Sequence, residues 1–449
     1  MKRFLFFLLF VPIFLFAQND FVSTWTVPAG TFELPLKDYT DITINWGDGD
    51  ITAFQDDNFP AHTYASAGTY TISVKVNDAA KDIGEMYMNG DHASRTLIRT
   101  ITNWGEGKWE TFNNAFRGAT NLTIPATDEP DLSLTTDMSS AFRDCSSLVG
   151  TTLNDWNTAA VTTMNEMFYD ASSFNQDVSS WNTAAVTNMQ GMFRGATVFN
   201  QNINTSGSSW NTAAVTNMSN MFHDASSFNQ DISSWNTALV NDMNNMFRDA
   251  SAFNQDINTN GNSWNTSAVT DMGSMFENAF AFNGNISSWN TAAVTEMNYM
   301  FNGAAAFNQD IGGWNTSSVQ NMANMFQGAT VFNQDIGSWN TVSVSNMAAM
   351  FHNASAFNQD INSINNSNVW NTASVTDMNT MFKGATAFNG NISNWTTTSV
   401  TNMRYMFSEL PSFNQDIGGW DTSNVTNMGQ LFQNAASFNQ DIGNWNTSK

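Results

Sequence analysis

From Trp156 to the end, the chain restates one phrase, and that constrains its fold more than any single motif could. The tryptophans from Trp156 to Trp445 recur at steps of 25 residues, interrupted by two steps of 29 and one of 31. One unit of that length cannot bury its own apolar face, so successive units must stack and each residue type must line up with itself. The extra residues of the long steps all fall in one slot. "INTSGSSW" (Ile203 to Trp210), "INTNGNSW" (Ile257 to Trp264) and "INSINNSNVW" (Ile361 to Trp370) stand where most units have a form such as "ISSW". Insertions confined to one slot mark it as a loop on one edge of a stack.

With tryptophan as position 0, the unit reads W-N-T-x-x-V-T-x-M-x-x-M-F-x-x-A-x-x-F-N-Q-D-I-x-x. Valine at 5, methionine at 8, phenylalanine at 12 and alanine at 15 step by three and four, which predicts one face of a short helix. Threonine at 6, as in Thr216 or Thr270, is placed to cap it. "FNQDI" alternates, with phenylalanine and isoleucine on one side and asparagine and aspartate on the other, which predicts a short strand. The expected fold is therefore an α/β repeat solenoid with a loop, a short helix and a short strand per turn. Of the 25 methionines, 21 fall in the two methionine columns, where they read as core filler. Two degenerate units, "FNNAFRGATNL" and "MSSAFRDCSSL", precede the regular ones within residues 101–150 and read as an N-terminal cap. The regular array covers 151–449. Cys145, the one cysteine, takes the alanine column and reads as a buried, inert thiol. With a single cysteine, no intrachain disulfide can hold the fold together.

Residues 1–18 read as a secretory signal peptide. Lys2 and Arg3 precede the apolar run Phe4 to Phe16, and Ala17–Gln18 offers a cleavage edge. That run is too short to span a bilayer, and no cysteine follows it to carry a lipid. Residues 20–100 differ from the repeats. "DITINWGDGDITAF" and "HTYASAGTYTISVKV" alternate as strands around tight turns, with Gly47 and Gly49 flanking Asp48. The formal charge of −24 disfavours nucleic acid and anionic membranes as partners.

The repeat, as in "SVTDMGSMFENAFAFNGNISSWNT" and its siblings, resembles that of the leucine-rich-repeat surface proteins of the BspA type, including many mycoplasma surface lipoproteins. The segment "WGDGD…HTYASAGTY" resembles a polycystic-kidney-disease-type (PKD-type) β-sandwich. The first likeness implies leucine-rich-repeat-like turns, and the second a small all-β, immunoglobulin-like sandwich before them. Together they imply a secreted or bacterial cell-surface protein that adheres to host or matrix proteins, other cells or glycans, and they name no catalytic residue.

The residues themselves point the same way. Asparagine stands at position 19 in every regular unit, and position 21 is aspartate at Asp177, Asp231, Asp256, Asp310, Asp335, Asp360, Asp416 and Asp441. This polar strip is the candidate binding surface. It reads either as hydrogen-bonding scaffold, as a ligand-facing strip, or as a calcium ladder, since a row of carboxylates at strand spacing repels itself or recruits cations. Threonine at position 2 forms another row, suited to loop hydrogen bonding or, on a flat exposed face, to ice. His62, His92, His223 and His352 form no set with Cys145, and no unique carboxylate pair breaks the pattern, so a non-catalytic protein without a cofactor is expected. Its expected partner is an extracellular protein or a polysaccharide. A polysaccharide-active enzyme and a purely structural surface spacer are the alternatives.

Overall fold

A computed structural model describes residues 19–448 except 56–57, 79–81, 90–91, 206–208, 260–262 and 363–368. The segment read as a signal peptide lies outside the described residues. The N-terminal part is a β-sandwich. One five-stranded antiparallel sheet runs in the order β5(Ile51–Phe54), β4(Ile42–Asn45), β7(Gly68–Val76), β1(Phe21–Val27), β9(Ile98–Asn103). Smaller sheets pair β10(Lys108–Trp109), β8(Asp82–Met86) and β3(Leu36–Lys37), and β2(Gly30–Glu33) with β6(Ala61–Tyr64). Alternation in β4 sends Ile42 and Ile44 into a core that also holds Trp25, Trp46 and Ile72. The "WGDG" turn needs its glycines: Gly47 has φ +81°, and a Cβ there would lie 2.4 Å from the Thr71 carbonyl oxygen. The Tyr64 hydroxyl donates to the Trp46 carbonyl at 2.8 Å, closing that corner.

The repeats stack, but not as an α/β solenoid of helices and strands. Among the described residues there is no α-helix, only two short 3-10 turns, Ala93–Thr96 and Leu153–Asp155. The segment expected to be helical is a run of tight turns. Positions 10 and 14 have positive φ in unit after unit, as at Asn245 (56°) and Asp249 (58°) or Asn324 (59°) and Gly328 (68°). The three residues between them are not in that region, so a left-handed residue recurs four positions on, and peptide N–H groups point alternately along the stack and back into their own coil. The N–H groups at 8, 10, 12 and 14 donate to carbonyls at 7, 9, 11 and 13 of the next coil. In one coil these are Met243 to Asp271 (3.2 Å), Asn245 to Gly273, Phe247 to Met275 (both 2.9 Å) and Asp249 to Glu277 (2.7 Å). The N–H groups at 11, 13 and 15 instead close turns three residues back, as Met246 to Met243 and Arg248 to Asn245, both at 3.1 Å. A helix would spend all these donors within its own coil, leaving neither edge bonded to its neighbours.

The sequence carries the reason. Position 14 is Asp, Asn or Gly in every regular coil but one, from Asp170 to Asn434, the exception being Glu409. Those are the residues that tolerate the left-handed region. The three-and-four spacing of Val, Met, Phe and Ala is satisfied equally by this turn run, which buries positions 5, 8, 11, 12 and 15. The "FNQDI" segment is likewise not a strand. Phe228 and Ile232 are buried and Asn229 and Asp231 face outward, as alternation requires, but the coils are joined there by side chains. The Asn254 N–H donates to the Asn229 Oδ1 at 2.9 Å, and the same bond recurs down the column. A single parallel bridge per coil remains, at position 7, as between Asn217 and Asp242. With a strand and a helix both absent from the coil, the leucine-rich-repeat likeness does not describe this fold.

The core is three columns of rings. Phe247 lies 5.6 Å from both Phe222 and Phe276 and 4.0 Å from Phe253 in its own coil. Tryptophans stack likewise, Trp289 on Trp314 at 6.1 Å, and from Trp181 onward each indole N–H reaches a carbonyl of the coil before, as Trp289 to Ile257 at 2.7 Å. Threonine at position 2 is buried, and Thr266 donates to the Asn290 carbonyl at 2.9 Å; the row is internal and offers no flat outer face. The sandwich closes the first coil. Strand β9 bridges in parallel from Thr100 to Thr123, β10 from Lys108 to Asp131, and Trp104 meets Trp156 at 5.3 Å, so sandwich and stack share one core.

Two outcomes test this architecture. Gly328→Ala introduces a Cβ whose nearest neighbour is 3.7 Å away, so its cost is backbone strain alone, about 1–2 kcal/mol, whereas Gly328→Asn costs less. A helical coil would gain from the alanine, and chemical denaturation reads the sign. Phe247→Ala costs about 3–5 kcal/mol. Hydrogen exchange will show the loosening confined to adjacent coils, because contacts run only between neighbours.

Candidate functional site

The eight aspartates of position 21 lie in one exposed row on the stack. Six of them hold the turn that follows. Oδ1 accepts the N–H two residues on, from Ser179 to Asp177 (2.9 Å), Ser233 to Asp231 (2.8 Å), Gly312 to Asp310 (3.0 Å), Gly337 to Asp335 (2.8 Å), Gly418 to Asp416 (3.0 Å) and Gly443 to Asp441 (2.8 Å). Asp256 and Asp360 instead accept from the next coil, from Asn285 and Asn391, both at 2.8 Å. In those two next coils glycine replaces the glutamine of position 20. A Cβ at Gly284 would stand 2.0 Å from the Gln255 carbonyl oxygen, and one at Gly390 2.1 Å from that of Gln359. Where glutamine is present it also ties coils together: Gln255 Nε2 donates to the Asn229 carbonyl at 3.0 Å. Between two coils the strip dips into a groove of about 330 Å³ lined by Asp231, Ser233, Asn254, Gln255 and Asp256.

Each aspartate therefore uses one oxygen for the backbone and remains exposed. The row does not gather three ligand groups at any one point. Among the described residues, only Asp48–Asp50–His62 and His223–Asp224–Asp249 bring three His, Cys, Asp or Glu ligand atoms within 4.8 Å of one another. The first is held by turn geometry. Asp48 Oδ1 accepts the Asp50 N–H at 3.1 Å and its Oδ2 meets His62 Nε2 at 2.7 Å, over a ring stacked on Trp46. Burial raises the Asp48 carboxyl, and the His62 and backbone hydrogen bonds outweigh it, leaving the group below its ordinary value. The second sits at positions 13 and 14 of neighbouring coils, where burial lowers the His223 imidazole. Cys145 is fully buried, its thiol near the Phe116 carbonyl at 3.0 Å, and burial pushes it far above the ordinary thiol range. Among the described residues, neither Cys145 nor His352 joins either of these two groups.

The sequence reading passed over a second row. Asparagine at position 1 forms the same kind of turn, as in Asn236 Oδ1 accepting from Ala238 at 3.1 Å, and so does position 7, as in Asp242 accepting from Asn244 at 2.9 Å. The N-T after every repeat tryptophan but Trp395 and Trp420 was the visible signal. It was read for its threonine, which is internal, and not for its asparagine, which is exposed.

Changing Asp310, Asp335 and Asp360 to asparagine keeps every Oδ1 acceptor, as Asn285 and Asn391 already do in their own coils. Thermal unfolding of that variant will match the parent, whereas alanine at the three sites will lower stability by about 1 kcal/mol per site.

The sequence profile of a family described as "Mycoplasma protein of unknown function, DUF285" matches residues 110–207, 202–263, 258–364 and 362–449, and that of the PKD domain matches residues 18–84. No curated protein and no solved structure matches the chain.

Proposed function

Because this chain belongs to the family "Mycoplasma protein of unknown function, DUF285" across its stack and carries a PKD domain before it, we propose that it is a non-catalytic binding or adhesion protein of the cell exterior. Its ligand is an extracellular macromolecule with a repeating structure, a polysaccharide before a matrix protein. The observation that carries this reading is the exposed position-21 row: eight aspartates of one kind, repeated at coil spacing, each with its carboxylate oriented by a backbone bond. A repeating polymer meets such a row in many equivalent registers, so weak contacts add through effective concentration. A protein ligand would be matched better by a face that varies from coil to coil. No helix among the described residues is long and apolar enough to cross a membrane. Export rests on the apolar N-terminal run.

An array of polysaccharides and matrix proteins, probed with the chain and with its Asp310→Asn/Asp335→Asn/Asp360→Asn variant, tests the reading. Binding to a polymer is expected, with affinity rising with polymer length and falling roughly tenfold or more in the folded variant. An array without hits would overturn it in favour of a structural spacer. Turnover of a glycan, abolished by one carboxylate change, would overturn it in favour of an enzyme.

A further inference from the structure

The segments "INTSGSSW" and "INTNGNSW", each four residues longer than "ISSW", leave the same slot with a single ordinary coil between them. Each is anchored alike on the next coil. The Thr205 N–H donates to Ser234 Oγ at 3.0 Å and its hydroxyl to the Ser234 carbonyl at 2.9 Å, while Thr259 makes the same bonds to Ser288 at 2.8 and 2.7 Å. Thr205 and Ser209 from the first insertion and Ser263 from the second line an open groove of about 530 Å³, together with Asn182, Asn211 and Asn236 from three successive coils. That volume lies within the range of small-ligand sites, roughly 300–1,000 Å³.

The chemistry of this groove is unlike the rest of the surface. The chain carries 39 acidic residues, yet among the described residues none that lines the groove is charged. An ionic ligand would find no counter-charge there. Nor is the groove apolar: the one aromatic residue in the lining, Trp210, is 2% exposed, so an apolar ligand has no ring to cover. What the groove offers is oriented hydrogen bonding. Each asparagine Oδ1 accepts the N–H two residues on, from Ala184 at 3.1 Å, Ala213 at 2.9 Å and Ala238 at 3.1 Å. Those bonds fix the plane of each amide without using its Nδ2 hydrogens, which donate to no protein group among the described residues. Three pre-oriented NH₂ donors at coil spacing, with serine and threonine hydroxyls beside them, suit a ligand that is uncharged, elongated and dense in hydroxyl and ether oxygens.

We propose that this groove binds a neutral oligosaccharide. The site is separate from the aspartate row, so either can fail without the other. Its test exchanges Asn182, Asn211 and Asn236 together for aspartate. The exchange keeps Oδ1 and therefore the turn, as Asp421 shows at the same position by accepting the Ser423 N–H at 2.9 Å. It removes the donors and adds charge. Isothermal titration calorimetry is run with cellohexaose, laminarihexaose, xylohexaose and mannohexaose as neutral probes and hexagalacturonate as the charged one. At least one neutral hexaose is expected to bind, to weaken roughly tenfold or more in the triple variant, and to be unaffected by Asn290→Asp/Asn315→Asp, which lie outside the groove. A matching thermal melt confirms that the triple variant is folded. Absence of any neutral binder, equal affinity in the triple variant, or tighter binding of hexagalacturonate would each overturn the proposal.

Discussion

Every coil depends on how its peptide groups divide their hydrogen bonds. Along the turn run, alternate N–H groups point to the next coil and the others close turns within their own, so that neither set is left without a partner. This division is possible only because positions 10 and 14 take positive φ. Left-handed residues cost about 1–2 kcal/mol each for ordinary side chains. At position 14 Asp, Asn or Gly relieves that strain in ten of the eleven coils, whereas position 10 also holds ordinary residues such as Glu166, Tyr299, Ala349 and Thr380, where the bonds made across the stack must offset it.

The side chains then solve the same problem where the backbone does not. At position 19 the asparagine Oδ1 takes the place a peptide carbonyl would hold in a strand. At positions 1, 7 and 21 asparagine or aspartate accepts the N–H two residues on and so fixes the next bend. Asparagine and aspartate occupy fixed slots because each slot has one backbone N–H to satisfy. The aromatic columns add burial in register with these bonds, and the sandwich supplies the first edge: β9 and β10 bridge to the first coil as later coils bridge to one another.

The inside and outside of the coil could be read from the sequence, and its backbone could not. Phe, Met, Val, Ile and Trp occupy columns that are buried, and the alternation of "FNQDI" places Phe228 and Ile232 inward and Asn229 and Asp231 outward. The β-sandwich was legible from "WGDGD" and its flanking alternation. The helix was misread because Val215, Met218, Phe222 and Ala225 fit a helical face as well as they fit a run of turns. The discriminating signal was Asp224, Asp249, Asn278 and Gly303 at position 14, residues that end helices. The strand was misread because a side-chain ladder and a backbone ladder share one alternation. At the candidate site, the aspartate row was visible, but its tie to the backbone turn was not. The position-1 asparagines were hidden behind the more conspicuous threonine that follows them.

Position 14 also explains where the charges of the stack sit. By needing Asp, Asn or Gly, the left-handed position puts carboxylates such as Asp144, Asp170, Asp224 and Asp249 in one column, and crowding raises Asp170 after burial has done so. The neighbouring column, position 13, is where the basic residues appear: Arg117, Arg143, Arg194, Arg248 and Lys383, leaving Arg404 and Lys449 as the others beyond residue 112. Arg143 and Arg194 flank the Tyr169 ring at 4.0 and 4.8 Å, and Arg248 lies 3.4 Å from Glu277 and 3.3 Å from Asp249. His223 stands 3.3 Å from Asp224 and 3.6 Å from Asp249. A backbone requirement thus sets an acidic column, and the acidic column draws the positive charge of the coils to its side. Among the described residues, the lining of the aspartate strip and of the asparagine groove carries no basic residue, so the first presents carboxylates and the second uncharged donors.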